Sequence, residues 1–287
     1  MNIFDFQELI KSNRASRNFI KNFCWPDQVV SCPKCDSLKI YEIQNNRYRC
    51  RDCHYSFTDF SGRYFGLLRL PPPAFLWIVK LFELGLSANH ASKELNISYP
   101  TVAKAFTLLR TAIFLAEGDG VFAGCRVEID EAYFGASRRG IRGRGAKDKI
   151  AVLGIKERNG RLLMKVIEEV SSLSLGDIIT EKVEKGTLIY TDKFKGYNEL
   201  RALGYRHKRI NHKYGFVNGH THTNGIEGAW SFVKEGLAKH HGVRKKNFPL
   251  YLAEQQFRFN HRGSDMFTLL VEKMCNFVPR GYKSPFN

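Results

Sequence analysis

No long apolar run occurs in this chain. The longest stretches, such as Ala74 to Val79, fall far short of the ~20 residues a membrane-spanning helix needs. The first residues, Met1 to Phe23, hold no apolar stretch either, because Asp5, Glu8, Lys11, Arg14, Arg17 and Lys21 interrupt them. A secretory leader is therefore not expected, and the chain reads as soluble and cytoplasmic. Acids are also scarce: 28 Asp and Glu stand against 45 Lys and Arg, a net charge of +17. Such an excess calls for a polyanionic partner, most simply nucleic acid. No long internal repeat is present. At 287 residues the chain has room for one large domain or two to three small ones.

Seven cysteines in a reducing compartment are not expected to form disulfides. Four of them form two knuckles, Cys32-Pro-Lys-Cys35 and Cys50-Arg-Asp-Cys53, with 14 residues between (50 − 35 − 1). Two CxxC pairs at that distance supply four thiolates for one tetrahedral, closed and therefore structural Zn²⁺ site. Strands are expected over Lys39–Ile43 and Arg47–Arg49, turning at Asn45-Asn46. Cys24, Cys125 and Cys275 read as small apolar residues.

After the break at Pro71-Pro72-Pro73, helices are expected at Ala74–Glu83, Ala88–Leu95 (with Ser87 as N-cap) and Tyr99–Leu115. The last two, with the Asn96-Ile97-Ser98 turn, suggest an all-α helix-turn-helix whose second helix offers Thr101, Lys104 and Arg110 to DNA. A plain helical hairpin fits the same pattern.

From about 121 the pattern becomes α/β. A strand leading to Asp130 precedes a hairpin of Lys149–Lys156 and Leu162–Ile167. A helix (Leu175–Val183) and the strand Thr187–Tyr190, which delivers Asp192, come next. A short helix (Gly196–Leu203), a strand (Arg206–Ile210) and a helix from Thr223 to His240 complete the series. This succession describes a ribonuclease H-like domain with a mixed five-stranded sheet. Asp130 and Asp192 at strand ends, with Glu227 on the helix 34 residues past Asp192 (227 − 192 − 1), can hold two divalent ions for phosphoryl transfer on nucleic acid. Lys234, two turns beyond Glu227, shares its face and can reach phosphate. Between Asp130 and the next strand, Arg138, Arg139, Arg142, Arg144 and Lys147 lie among glycines, a loop suited to gripping a DNA backbone. A second basic cluster, Lys239 to Lys246, follows the Glu227 helix. Glu128 shares Asp130's face and is expected to support it or to be solvated. Glu131 is expected on the opposite face, and Trp230 in the core or against DNA.

These residues resemble insertion-sequence transposases with a zinc ribbon and an ISXO2-like DDE domain. The likeness rests on the two CxxC knuckles, Val127-Glu-Ile-Asp-Glu-Ala-Tyr-Phe-Gly135, Tyr190-Thr-Asp-Lys-Phe194, His222-Thr-Asn-Gly-Ile-Glu-Gly-Ala-Trp-Ser-Phe-Val-Lys234 and Phe257-Arg-Phe-Asn-His-Arg262. It implies cutting and joining of double-stranded DNA at terminal inverted repeats and in target DNA, with Mg²⁺ or Mn²⁺ at Asp130, Asp192 and Glu227. It also implies a homo-oligomer in the synaptic complex. The other reading is a domesticated, transposase-derived DNA-binding regulator without strand transfer. Asn224 and Glu254 compete with Glu227 as third ligand, and His222 and Asn224 flank the site. The expected divisions are a zinc-ribbon segment (1–66), a helix-turn-helix domain (67–120), the catalytic domain (121–262) and a tail (263–287).

Overall fold

The computed structural model describes residues 1–117, 120–124, 126–135, 149–158, 160–210, 224–279 and 281. The chain divides into two units, Met1–Ala116 with Gly263–Asn287, and Glu117–Arg262.

The first unit begins with helices α1 (Ile3–Ile10) and α2 (Asn13–Cys24), capped by the Asn2 and Ser12 side chains. A small antiparallel sheet follows, β1 (Ile40–Ile43), β2 (Arg47–Cys50) and the two-residue β3 (Ser56–Phe57), in that spatial order. Asn45 and Asn46 both take positive φ at the β1–β2 turn, a conformation asparagine tolerates better than most residues. Three helices come next: α3 (Pro72–Glu83), α4 (Ala88–Leu95) and α5 (Tyr99–Ala116). Proline opens α3, where a missing N–H costs nothing. Ser87 caps α4, and Asn96 closes it in the left-handed region before the turn into α5.

Residues 263–287, expected as a tail, carry helix α9 (Met266–Cys275), whose Phe267, Leu270, Val271 and Met274 are fully buried in this unit. The Arg63 guanidinium ties the same region together. It donates to the carbonyls of Asp59, Cys24 and Cys275 and lies 4.4 Å and 4.0 Å from the Trp25 and Phe277 rings.

The second unit is built on a five-stranded mixed sheet in the order β6-β5-β4-β7-β8. Its strands are β4 (Arg126–Phe134), β5 (Ile150–Glu157), β6 (Leu162–Ile167), β7 (Leu188–Thr191) and β8 (Arg206–Arg209). The β4, β5 and β6 strands run antiparallel, whereas β7 and β8 are parallel to β4. Side chains alternate across the sheet. Val127 and Ile129 therefore enter a core with α6 (Ser172–Lys182) and the short helical turn Lys195–Arg201. Ala132 and Phe134 enter another with α7 (Asn224–Ala238) and α8 (Phe248–Asn260). The sheet and its helices follow the order expected from the sequence. The largest shift of a boundary is at β4, which does not end at Asp130 but continues to Phe134, because Glu131-Ala-Tyr-Phe keeps the alternation that pairs it with β5.

Candidate active site and zinc centre

The thiol cluster is the simpler of the two sites. Cys32 closes on Cys53 at 3.5 Å and Cys35 on Cys50 at 3.6 Å, and all four sulfurs lie within 4.8 Å of one another. Each knuckle is a local turn: the Asp36 amide donates to the Cys32 carbonyl (2.8 Å) and the His54 amide to the Cys50 carbonyl (3.1 Å). Asp36 and His54, each just after a second cysteine, sit at positive φ. The backbone amide of Cys53, with that of Asp52, brings the Cys50 thiol down to about 6. Against the lowering effect of the Ser37 amide, hydrogen bonds to the other thiols push Cys35 up to about 12. Four soft donors closed around one point fit structural Zn²⁺ and leave no open position for substrate.

The acid site is assembled from three elements. Asp130 lies mid-strand on β4, on the face that meets α7. Its Oδ2 accepts the Trp230 indole N–H at 3.1 Å. Gly154 makes that contact possible. It is Asp130's register partner on β5, and a Cβ there would lie 2.5 Å from the Trp230 ring. Asp192 follows directly on β7, and its carboxylate accepts the Phe194 amide at 2.8 Å, which fixes the turn. Glu227 is exposed in the first turn of α7. Asp130, Glu227 and Lys234 line one open cavity of about 420 Å³ together with Trp230.

Electrostatics connects the three acids. Burial raises the Asp130 carboxyl above its ordinary range; the Trp230 hydrogen bond opposes the rise, and the charges of Asp192 and Glu227 add to it. Behind them, burial holds the Tyr197 phenol well above its usual value, with the charges of Glu131, Asp130 and Asp192 contributing. The charges of Asp192 and Glu227 thus both reach Asp130. Carboxylates are the donors Mg²⁺ prefers, so the residues fit such an ion. Asp192 has further support from β8. Thr191 donates to the Asp192 carbonyl (2.7 Å) and meets His207 Nε2 at 2.9 Å. Burial lowers His207 to about 4, assisted by Arg209 and Arg201.

Glu128 is not solvated but 1% exposed. Its carboxylate accepts the Ile226 amide (2.9 Å) and Arg158 Nε (3.1 Å). Sequence reasoning missed these contacts and the Trp230–Asp130 bond; Gly154 and Gly225, each at a close approach, were the signals for them. Glu131 faces the Tyr197 side, as alternation requires. Glu254, the rival third ligand, is 1% exposed and held by Arg258 at 2.9 Å inside α8. Asn224 is exposed at the start of α7.

On α5, Thr101 is half-buried and its hydroxyl pairs with Ser98 (2.8 Å). Lys104 donates to the Leu67 carbonyl (3.0 Å). Arg110 corrects the expectation of an exposed DNA contact. It is 4% exposed, 5.4 Å and 5.9 Å from the Phe82 and Phe106 rings. Arg138, Arg139, Arg142, Arg144, Lys147 and His222 lie outside the described residues.

Comparison with known proteins places this geometry in a class. The model of the transposase zinc-ribbon domain matches residues 11–56, and that of the ISXO2-like transposase domain matches 121–260. The chain belongs to the ISXO2-like transposases, whose catalytic domain the mixed five-stranded sheet and its helices fit. An "Uncharacterized transposase-like protein" of Haemophilus influenzae is 41% identical over 96 residues, covering 33% of this chain and 78% of that protein. An "Uncharacterized protein in transposable element ISH50" of Halobacterium salinarum is 26% identical over 289 residues, covering 91% and 96%. Among the described residues no helix is long and apolar enough to cross a membrane.

Proposed function

We infer that this transposase binds the terminal inverted repeats of an insertion sequence and cleaves and transfers DNA strands at Asp130, Asp192 and Glu227. The observation that carries this reading is the convergence of acids from β4, the end of β7 and α7. Asp192 and Glu227 both act on the half-buried Asp130, beside a cavity that Lys234 also lines. When bound by these carboxylates, Mg²⁺ or Mn²⁺ supplies activation of the attacking hydroxyl and neutralisation of the leaving oxygen. The protein's own residues do the rest. Trp230 fixes the rotamer of Asp130, the Phe194 amide fixes that of Asp192, and Lys234 offers a cation to the phosphate beside the scissile bond.

End recognition belongs to the first unit, with α4 and α5 acting as a helix-turn-helix. Its contact surface is the exposed start of α5, Ser98 to Pro100, with Thr101 and Lys104; buried Arg110 is left out. The basic residues of 138–147 and the cluster Lys239 to Lys246 grip the backbone, and two or more copies of the chain bridge the element's ends. A gel-shift comparison of terminal-repeat and scrambled duplexes tests the reading. Preference for the repeat, with affinity falling steeply as salt rises, is expected. Equal affinity for both duplexes at physiological salt argues against specific recognition.

A further inference from the structure

We propose that the buried Glu128–Arg158 ion pair is the positioning device of the acid cluster, setting the geometry at which Asp130, Asp192 and Glu227 take a divalent cation. The proposal rests on the reading of those three acids as metal ligands and goes beyond it. Each acid sits on or just after a different element, and this one ion pair, itself begun on β4, touches Ile226 of α7 and Tyr190 of β7.

Glu128 lies on β4 two residues before Asp130, on the same face of the strand. Its Oε2 accepts the amide of Ile226, the residue immediately before Glu227. That amide belongs to the first turn of α7, where N–H groups have no partner within the helix and the helix dipole favours an anion. Its Oε1 accepts Arg158 Nε at 3.1 Å, and the Arg158 guanidinium lies 3.9 Å from the centre of the Tyr190 ring. Tyr190 is two residues before Asp192 and is the β7 register partner of Glu128. The Arg158 amide donates to the Arg126 carbonyl (2.9 Å), so the backbone that carries the guanidinium is anchored to β4.

The fit around the carboxylate is tight. A Cβ on Gly225 would lie 2.8 Å from Glu128 Oε2, so only glycine lets the helix start come this close. A charge this deeply buried is tolerated because it is paired and hydrogen-bonded. Loss of the carboxylate leaves the Ile226 amide and the Arg158 guanidinium without it, which loosens the start of α7 relative to β4. Glu227 then moves while its own side chain remains intact.

The test uses the zinc-loaded full-length protein and titrates Mn²⁺, read by the electron paramagnetic resonance of the free ion. Hydrogen exchange over 225–229 is followed in parallel. Glu128→Ala is expected to raise the Mn²⁺ midpoint about tenfold and to speed exchange at the start of α7, while terminal-repeat binding stays near that of wild type. Glu128→Gln keeps an acceptor for the Ile226 amide and should shift the midpoint by only about threefold. If Glu128→Ala fails to fold, Gly225→Ala serves instead. It keeps the charge and pushes the carboxylate aside, and should raise the midpoint several-fold although alanine is the better helix former. Wild-type midpoints in folded Glu128→Ala or Gly225→Ala overturn the proposal. If Asp130→Asn and Glu227→Gln also leave Mn²⁺ binding unchanged, the metal-ligand reading fails and takes the proposal with it. If those two abolish binding while the Glu128 and Gly225 variants do nothing, only the positioning role is lost.

Discussion

The cysteine cluster and the acid cluster gather their side chains in opposite ways. The cysteines come from two local turns only 14 residues apart (50 − 35 − 1), and their sulfurs close to within 4.8 Å of one another. The acids come from β4, the end of β7 and α7, spread over 97 residues (227 − 130), and Asp130 and Glu227 border an open cavity. A local, closed donor set stabilises the fold that carries it, whereas a distributed, open one depends on a fold already built. The ribbon is thus held together by its metal, and the catalytic sheet brings its acids together by packing and hydrogen bonds.

The largest effect that would break this contrast lies in the ribbon. Chelating the zinc, or Cys35→Ser, is expected to remove on the order of 10 kcal/mol from folding of that segment. Elemental analysis checks it directly: the wild type should hold about one equivalent of zinc. Less than half an equivalent, unchanged by Cys35→Ser, sinks the assignment.

The opposite expectation applies to the acid site, where packing rather than metal sets the geometry. Gly154→Val places carbon where the Trp230 ring already lies, 2.5 Å from it. Overpacking of this kind should cost about 3 kcal/mol, read as a lower urea midpoint, and should free Asp130 from its indole partner. An unchanged midpoint would mean that the close approach of α7 to the sheet carries no weight.

A smaller effect distinguishes β8. His207 is buried and neutral, with its value lowered to about 4 from the ordinary 6.5. Its contribution to stability is therefore complete above pH 6.5 and lost as the pH falls toward 4, because the unfolded chain takes up the proton first. The loss should be on the order of 2 kcal/mol across that window. Urea midpoints from pH 7 to pH 4.5 measure it, and His207→Gln should flatten the dependence. A parallel decline in both proteins would assign the acid sensitivity to other groups.

How much could be read in advance follows the same division between local and distributed. The zinc knuckles, the Ser87 cap, the hairpin and the strand before Asp192 rest on short-range spacing, and the structure places them at or within a few residues of the expected positions. The apolar alternation that runs up to Ile129 puts Asp130 at a strand end, but β5 pairing carries β4 four residues further, to Phe134 (134 − 130). Arg110 was legible but misread. It falls four residues after Phe106 and eight after Val102 (110 − 102), the spacing of a buried helical stripe, and its guanidinium stacks there on aromatic rings. The partners of Glu128 were not legible at all, since a bond from residue 128 to residue 226 has no local signature. Its only trace was Gly225 at the start of a helix, where any other residue would collide. The same holds for Trp230, whose reach to Asp130 depends on a glycine in the strand opposite.

The most direct test of the whole account separates binding from chemistry. Asp130→Asn, Asp192→Asn and Glu227→Gln are compared with wild type on a terminal-repeat duplex, measuring both affinity and strand cleavage in Mg²⁺. Binding should stay near normal, with cleavage reduced roughly a thousandfold or more in each variant, the cost of removing one metal ligand. Near-normal cleavage by Glu227→Gln, with cleavage lost in Asn224→Ala, would contradict it and move the third ligand to Asn224.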